Sequence, residues 1–317
     1  KVLKCMLDYF LTVGNERIDN FGSLSWSDDI ETYTTIVKFN SQIEFNVGQQ
    51  FFLNNGNNQL LRCVITDVDF DRDLIYQYTA YDFGFYLGKN EVTIQAQGAI
   101  ENEIRRLLAS VNIPIGTIRG VRGTVNNFYR KQTVQAVLSD LLTLATGQTG
   151  INYTVDCRNG VVNISPYFLL DNILGDLSNN IQINSADNLG NVKVVTSMQE
   201  MRNRILVYTG NDRNSRIVAR ANREDSEQQF GILQEIIEPG ENERNFNVIA
   251  QNRLRERNRI RTSLNVKLLG DDRIRKGALL PIRDDRVGVN GIFVVRTSDH
   301  KVDNGVHTVD CNLELER

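Results

Sequence analysis

At 317 residues, with 41% hydrophobic and 24% charged side chains, the chain is long enough for two or three cores and too apolar to be disordered. Its net charge of −3 and pI of about 5.6 argue against sequence-independent binding of a phosphate backbone, which needs a basic surface. No window approaches the ~20 apolar residues of a membrane span. No basic start followed by an apolar run suggests a signal peptide, and the natural start is expected upstream of Lys1. Cys5, Cys63, Cys157 and Cys311 lie far apart with no C-x-x-C pair, so they read as buried thiols in a reducing compartment.

Residues 1–87 read as β. Lys4–Val13 is a first apolar run, and Thr32–Phe39 alternates with Tyr33, Thr35, Val37 and Phe39 on one face. Ile43–Val47 and Gln49–Leu53 read as short strands near Gly48, and 54–58 (NNGNN) as a turn. Leu60–Val68 and Leu74–Asp82 pair around Asp71–Asp73. Trp26, the only tryptophan, is expected to anchor a core or a barrel end. The first module is set at 1–90, a small β-barrel, and Leu74–Asn90 is the exit from it.

Residues 91–195 are mixed and form a middle α+β module. Ile100, Ile104, Leu107, Leu108 and Val111 recur at helical spacing, which predicts a helix over 99–111. A second helix follows Thr133, a candidate N-cap, carries Val134, Val137, Leu138, Leu141, Leu142 and Ala145, and stops at Gly147. Ile151–Asp156 and Val161–Ser165 form a hairpin around Asn159-Gly160. The polar stretch 171–191 is a connector.

Residues 196–317 return to β, a second barrel of similar size with a helix inserted at 246–257. Strands are predicted at 204–208, 216–221, 232–237, 259–268, 279–283, 291–297 and 306–314, with 222–229 a charged excursion. The fold class is therefore mainly β, with two similar small barrels flanking an α+β insert.

Each candidate site has a plainer reading. Asp67, Asp69, Asp71 and Asp73 alternate along a strand, but Arg72 and Tyr78 stand where a calcium loop needs glycine and a bidentate Glu. His300 and His307 flank a turn with Asp299 and Asp310 near, two zinc-capable rings without a third ligand of defined spacing. The Gly116–Gly123 stretch lacks phosphate-loop spacing. The sequence thus assigns no catalytic, cofactor-binding or metal residue. Arg255, Arg257, Arg259 and Arg261, following Arg253, form a basic run without interleaved aromatics. They read as an intersubunit salt-bridge surface or, if the face lines a tube, as a lumen-facing one.

Several segments together resemble a known family. Ala80-Tyr81-Asp82 followed by Tyr86-Leu87 and Lys89-Asn90 resembles the strand exit of XkdQ-type tail hub proteins of contractile phages and phage-tail-like bacteriocins. Met198–Val207 resembles the start of that family's second barrel, and Phe230–Gln234 one of its strands. Leu269–Ile282, Gly291–Val295, Asp299-His300 and Gly305–Thr308 resemble its closing strands, in the family's order. The resemblance implies a homotrimer whose paired barrels imitate sixfold symmetry. It would join the hexameric tail tube to the central spike among neighbouring baseplate proteins, after assembly in the bacterial cytoplasm. It implies no enzyme activity, no cofactor and no specific nucleic acid. A peptidoglycan-acting tail enzyme and a β-rich host-surface binding module are the alternatives.

Overall fold

The computed structural model describes residues 8–70, 75–167, 183–184, 189–210, 216–238, 245–284 and 288–315. Cys5, Asp71, Asp73 and most of the connector at 171–191 lie outside them. Among the described residues, thirteen strands form one continuous sheet. Its main path runs Leu189–Ser197, Arg261–Leu269, Val306–Leu315, Val289–Asp303, and then crosses to Leu24–Asp29. It continues through Ile36–Ser41, Tyr76–Asp82, Asn58–Phe70, Gln50–Asn55 and Tyr9–Val13 to Glu16–Ile18. The crossing is antiparallel, with His300 opposite Trp26 and Thr297 opposite Asp29.

The mainly β class follows directly, and each section of the sheet has its own core. Trp26, Val37, Phe39, Phe51, Leu53, Ile65 and Tyr78 fill the first. Leu264, Val266, Leu268, Phe293, Val295, Val309 and Leu313 fill the second. In both, strand residues two apart point inward, so a period of two builds the wall. The first section curls far enough for Tyr9, near one end of the path, to meet Trp26 with ring centroids 5.7 Å apart. Val37 and Phe39 are buried on one face of strand Ile36–Ser41, as their alternation predicts, but Tyr33 and Thr35 are buried ahead of the strand, Tyr33 in the core of the middle module. Residues 43–47 form no strand. Only Phe45 turns inward there, and the Tyr78 hydroxyl fixes the segment, accepting from Phe45 N at 2.9 Å and donating to Ile43 O at 2.9 Å.

The exit is placed by Gly84. A Cβ there would stand 2.2 Å from the Tyr33 carbonyl oxygen, so only glycine lets the chain turn into helix Phe85–Lys89. The middle module packs helices Ile100–Ser110 and Val134–Thr149 against two small sheets around Ile104, Leu108, Val137, Leu138, Leu141 and Ile164. The long helix continues two residues past Gly147 and ends where Gly150 adopts φ 75°. At its start the Thr133 hydroxyl accepts from Ala136 N at 3.1 Å. Thr133→Ala is expected to cost about 1 kcal/mol in urea denaturation, and an unchanged midpoint would contradict the cap.

The sequence puts the strands at 204–208, 216–221 and 232–237 within the second β module. They instead form a separate mixed sheet, Arg216–Asn222, Arg204–Thr209 and Gln234–Ile237. Helix Phe246–Arg257 covers it, setting Ala250 and Leu254 against Ile205, Val207, Ala219 and Ala221. The charged excursion contains helix Glu224–Phe230, whose first turn carries Glu224, Asp225 and Glu227, where the helix dipole favours carboxylates. Asn252 Nδ2 donates to Gly147 O at 3.0 Å, docking this layer onto the middle module.

Candidate functional site

The ionisable side chains with the deepest burial gather at two joints. The first brings all three modules together. Asp28 lies on the first section's strand at the crossing, and the Thr35 hydroxyl donates to it at 2.6 Å. Arg158, from the turn after Tyr153–Asp156, ion-pairs with the other Asp28 oxygen, and both side chains are buried. The turn is held by Arg158 N donating to Asp156 Oδ1 at 3.0 Å, and Arg62 N donates to Arg158 O at 2.7 Å. From the second section, Lys276 Nζ donates to Thr32 O at 3.0 Å, and Arg275 ion-pairs with Asp156.

Burial by itself would raise the Asp28 carboxyl, but Arg158, Lys276 and the Thr35 hydroxyl outweigh it and hold it at about 2. Asp82 behaves in the opposite way. Burial dominates and pushes it up to about 7 against the pull of Lys276. One of its oxygens accepts from Gly84 N at 3.0 Å, and the other is buried without a partner, as suits a protonated carboxyl. The nearby Cys63 and Cys157 thiols are driven up by burial, which makes them packing groups and poor nucleophiles.

The second joint is aromatic and links the two sheet sections. Trp26 stacks on His300 with centroids 4.6 Å apart and planes 9° from parallel. His300 is 1% exposed; its Nε2–H donates to Ile274 O at 2.6 Å, which leaves Nδ1 to accept from His307 Nε2 at 2.9 Å. Tyr9 Oη then faces His307 Nδ1 at 2.9 Å and donates to Asp272 Oδ1 at 2.7 Å, while Asn55 Nδ2 donates to Asp272 Oδ2 at 2.7 Å. One hydroxyl proton thus serves two acceptors as long as His307 is neutral. Burial lowers His300 to about 3; it also lowers His307, against the opposing Asp272 and Asp271 carboxylates. Gly270 is required here, because a Cβ would stand 1.9 Å from His307 Cγ.

The structure therefore brings the two histidines together, as the hairpin suggests, but as buried packing groups. Among the described residues no three His, Cys, Asp or Glu side chains are grouped to hold a metal. Asp67 and Asp69 are exposed at a strand end. The glycine-rich stretch has a packing reason: a Cβ on Gly116 would meet Asn163 Oδ1 at 2.3 Å. The charged joint was invisible in sequence, since its members come from positions 28, 82, 158 and 276 with no spacing to link them.

The arginine run does not form one free face. Arg253 pairs with Glu235 at 2.6 Å and Glu256 at 3.0 Å, and Arg257 lies 3.5 Å from Glu200. Arg259 and Arg261 approach Glu314 at 3.1 and 3.8 Å, and Arg296 reaches its other oxygen at 3.7 Å. Arg255 is exposed and makes no ion pair among the described residues. Beside these side chains opens a cleft of about 250 Å³, lined by Ser197, Gln199, Glu200, Arg261, Ser263, Arg296, Asn312 and Glu314.

This mainly β fold is shared with prophage tail proteins. The 43 kDa tail protein of prophage MuSo2 from Shewanella oneidensis superposes with a TM-score of 0.68 at 11% identity, covering 96% of this chain and 97% of that one. A tail protein from Neisseria meningitidis MC58 gives 0.69 at 10% identity, covering 98% and 97%. Prophage tail protein gp18 from Listeria monocytogenes EGD-e gives 0.63 at 11% identity, covering 97% and 94%. At such identities the likeness is one of fold. No curated protein matches in sequence. The YQBQ-like family profile matches residues 22–314, and the chain belongs to that family. No helix among the described residues is long and apolar enough to cross a membrane.

Proposed function

We propose that this chain is the structural hub of the baseplate in a contractile phage tail or phage-tail-like particle. Three copies form a ring, and the two sheet sections of each, acting as barrel-like modules, offer a near-sixfold surface to the tail tube. The central spike and neighbouring baseplate proteins meet the same ring. Family membership and the fold shared with prophage tail proteins along nearly their whole length support this reading.

The observation that carries it is the location of the buried ionisable groups. Asp28, Asp82, Arg158, Lys276, His300 and His307 all sit where modules meet. Buried polar groups and ion pairs of this kind fix an arrangement more than they add stability. They suit a part that passes load between partners and turns over no substrate. Arg255, Arg257, Arg259 and Arg261 belong, in this reading, to an intersubunit or lumen-facing surface. Assembly takes place in the bacterial cytoplasm and the protein resides in the particle.

The test is negative-stain imaging and mass measurement of the purified protein, alone and with its tail tube partner. Ring-shaped trimers capping tubes are expected. A chain that stays monomeric at every concentration and never joins tubes would overturn the reading.

A further inference from the structure

We propose that the aromatic joint between the two sheet sections is a proton-binding site: His307 Nδ1 takes up one proton in the folded chain, and Tyr9 then relays between an imidazolium and the Asp272 carboxylate. The Tyr9 hydroxyl thereby ties the sections together more strongly in acid than at neutral pH. The site is a property of the folded chain and does not depend on the ring proposed above.

The proposal comes from counting protons. Four contacts run in line through the joint. Ile274 O meets His300 Nε2 at 2.6 Å, and His300 Nδ1 meets His307 Nε2 at 2.9 Å. His307 Nδ1 meets Tyr9 Oη at 2.9 Å, and Tyr9 Oη meets Asp272 Oδ1 at 2.7 Å. All are hydrogen-bond distances, and each contact needs a proton of its own. Two neutral imidazoles and a phenol bring one fewer than the contacts require. The Ile274 carbonyl can only accept, so neutral His300 is protonated at Nε2 and accepts at Nδ1. His307 must then be protonated at Nε2, which leaves its Nδ1 a bare acceptor. That nitrogen and the Asp272 carboxylate face a single hydroxyl proton from two sides, so one short contact joins two acceptors. A further proton on His307 Nδ1 removes the conflict. It donates to Tyr9 Oη, and the hydroxyl proton goes wholly to Asp272.

The surroundings put that proton on the imidazole. An imidazole is ordinarily more basic than a carboxyl, about 6.5 against about 3.9. Asp272 and Asp271, in the segment after Arg261–Leu269, both favour a charged His307, and Asp272 Oδ1 lies 3.9 Å from its Nδ1. Asp271 is shared with Arg273 at 2.7 Å. Burial opposes the two carboxylates and outweighs them, so uptake falls below the ordinary imidazole range. His300, on the paired strand, titrates at about 3 and stays neutral while His307 fills. Trp26 and Tyr9 add uncharged rings from the first section. The Asn55 amide holds the other Asp272 oxygen at 2.7 Å in either state. Tyr9 begins strand Tyr9–Val13 of the first section, whereas Asp272 and both histidines belong to the second, so the relay spans the junction. Hydrogen bonds with an ionised partner are about twice as strong as neutral ones, and protonation gives the hydroxyl one at each side.

The test is imidazole nitrogen NMR on the whole chain, titrated from about pH 7.5 to about pH 4, alongside Tyr9→Phe and Asp272→Asn. His307 is expected to pass from the Nε2–H tautomer to the imidazolium while His300 stays neutral. In Tyr9→Phe the His307 midpoint is expected to fall by about one pH unit, an about tenfold weaker hold on the proton. By linkage, the destabilisation caused by Tyr9→Phe, read as a ratio of unfolding constants in urea, should then grow about tenfold across the same titration. A hydroxyl that only packs would leave that ratio flat. Asp272→Asn keeps the side chain's shape and is expected to lower the His307 midpoint as well. A His307 that stays neutral down to about pH 4 in the folded native chain, or a Tyr9→Phe effect independent of pH, would overturn the proposal.

Discussion

Replacing Arg158 with methionine is expected to destabilise the fold by about 3–5 kcal/mol, the cost of leaving a buried partner charge without compensation. Asp28 would keep the Thr35 hydroxyl at 2.6 Å and the attraction of Lys276 but lose the guanidinium that contributes most to holding its carboxyl at about 2. The double variant Asp28→Asn with Arg158→Met removes both charges and is expected to be more stable than Arg158→Met alone, because the pair exists to place three modules and not to add stability. Urea denaturation of the native protein, both single variants and the double variant completes the cycle. A loss below about 1 kcal/mol in Arg158→Met would mean that water reaches the joint and the tie is weak.

The second large effect is in the pH dependence, where two buried groups oppose each other. The folded His300 titrates at about 3 against an ordinary 6.5. The unfolded chain therefore takes up the proton first, and this contribution to stability, complete above 6.5, is lost as pH falls toward 3. Folded Asp82 titrates at about 7 against 3.8, so its contribution is complete below 3.8 and is lost as pH rises through 7. One pH of separation is worth about 1.4 kcal/mol, which makes each contribution roughly 4–5 kcal/mol with opposite sign. The native protein should change little between pH 6.5 and 3.8, with the lowered His307 adding a modest acid loss. Asp82→Asn is expected to lose stability steeply on acidification across that window, and His300→Gln to gain it. Parallel urea midpoints for all three proteins across that range would refute the opposition.

Much of the sheet is readable from alternation. Val37 and Phe39 point inward, as do Leu264, Val266 and Leu268, because a strand with one buried face leaves a two-residue signature; Tyr33 and Thr35 continue the pattern but precede the strand. The long helix is readable from its apolar stripe and Thr133 cap, but its end is not. Gly147 sits inside the helix, and the stop is set by Gly150 in the left-handed region, a distinction that two glycines three apart do not carry. Helix Glu224–Phe230 buries only Ser226, so no apolar stripe marks it. The separate sheet of residues 204–237 is hidden because its strands carry the same short apolar alternation as those of the main sheet. Only the cover supplied by helix Phe246–Arg257 separates them.

The histidine pair is partly legible, since the turn at Asn304-Gly305 sets both rings on one hairpin. Trp26 beneath them and Tyr9 beside them are not, because each is more than 270 positions away along the chain from at least one ring it touches. The arginine run shows the same limit in reverse. Its charge is plain in sequence, but Glu235, Glu200 and Glu314, which decide how much of it remains available, come from two strands and a turn elsewhere in the chain.

The ladder between Leu24–Asp29 and Val289–Asp303 has a consequence for anyone wishing to dissect the protein. The N-terminal third is not a transplantable cassette. A fragment cut before residue 289 would bare a row of backbone donors and acceptors along Leu24–Asp29 and invite pairing between copies. Recombination among relatives should accordingly exchange the outer segment 204–257, whose sheet stands apart from that ladder, more readily than either half of the main wall, while 91–167 is held by the buried Arg158–Asp28 pair.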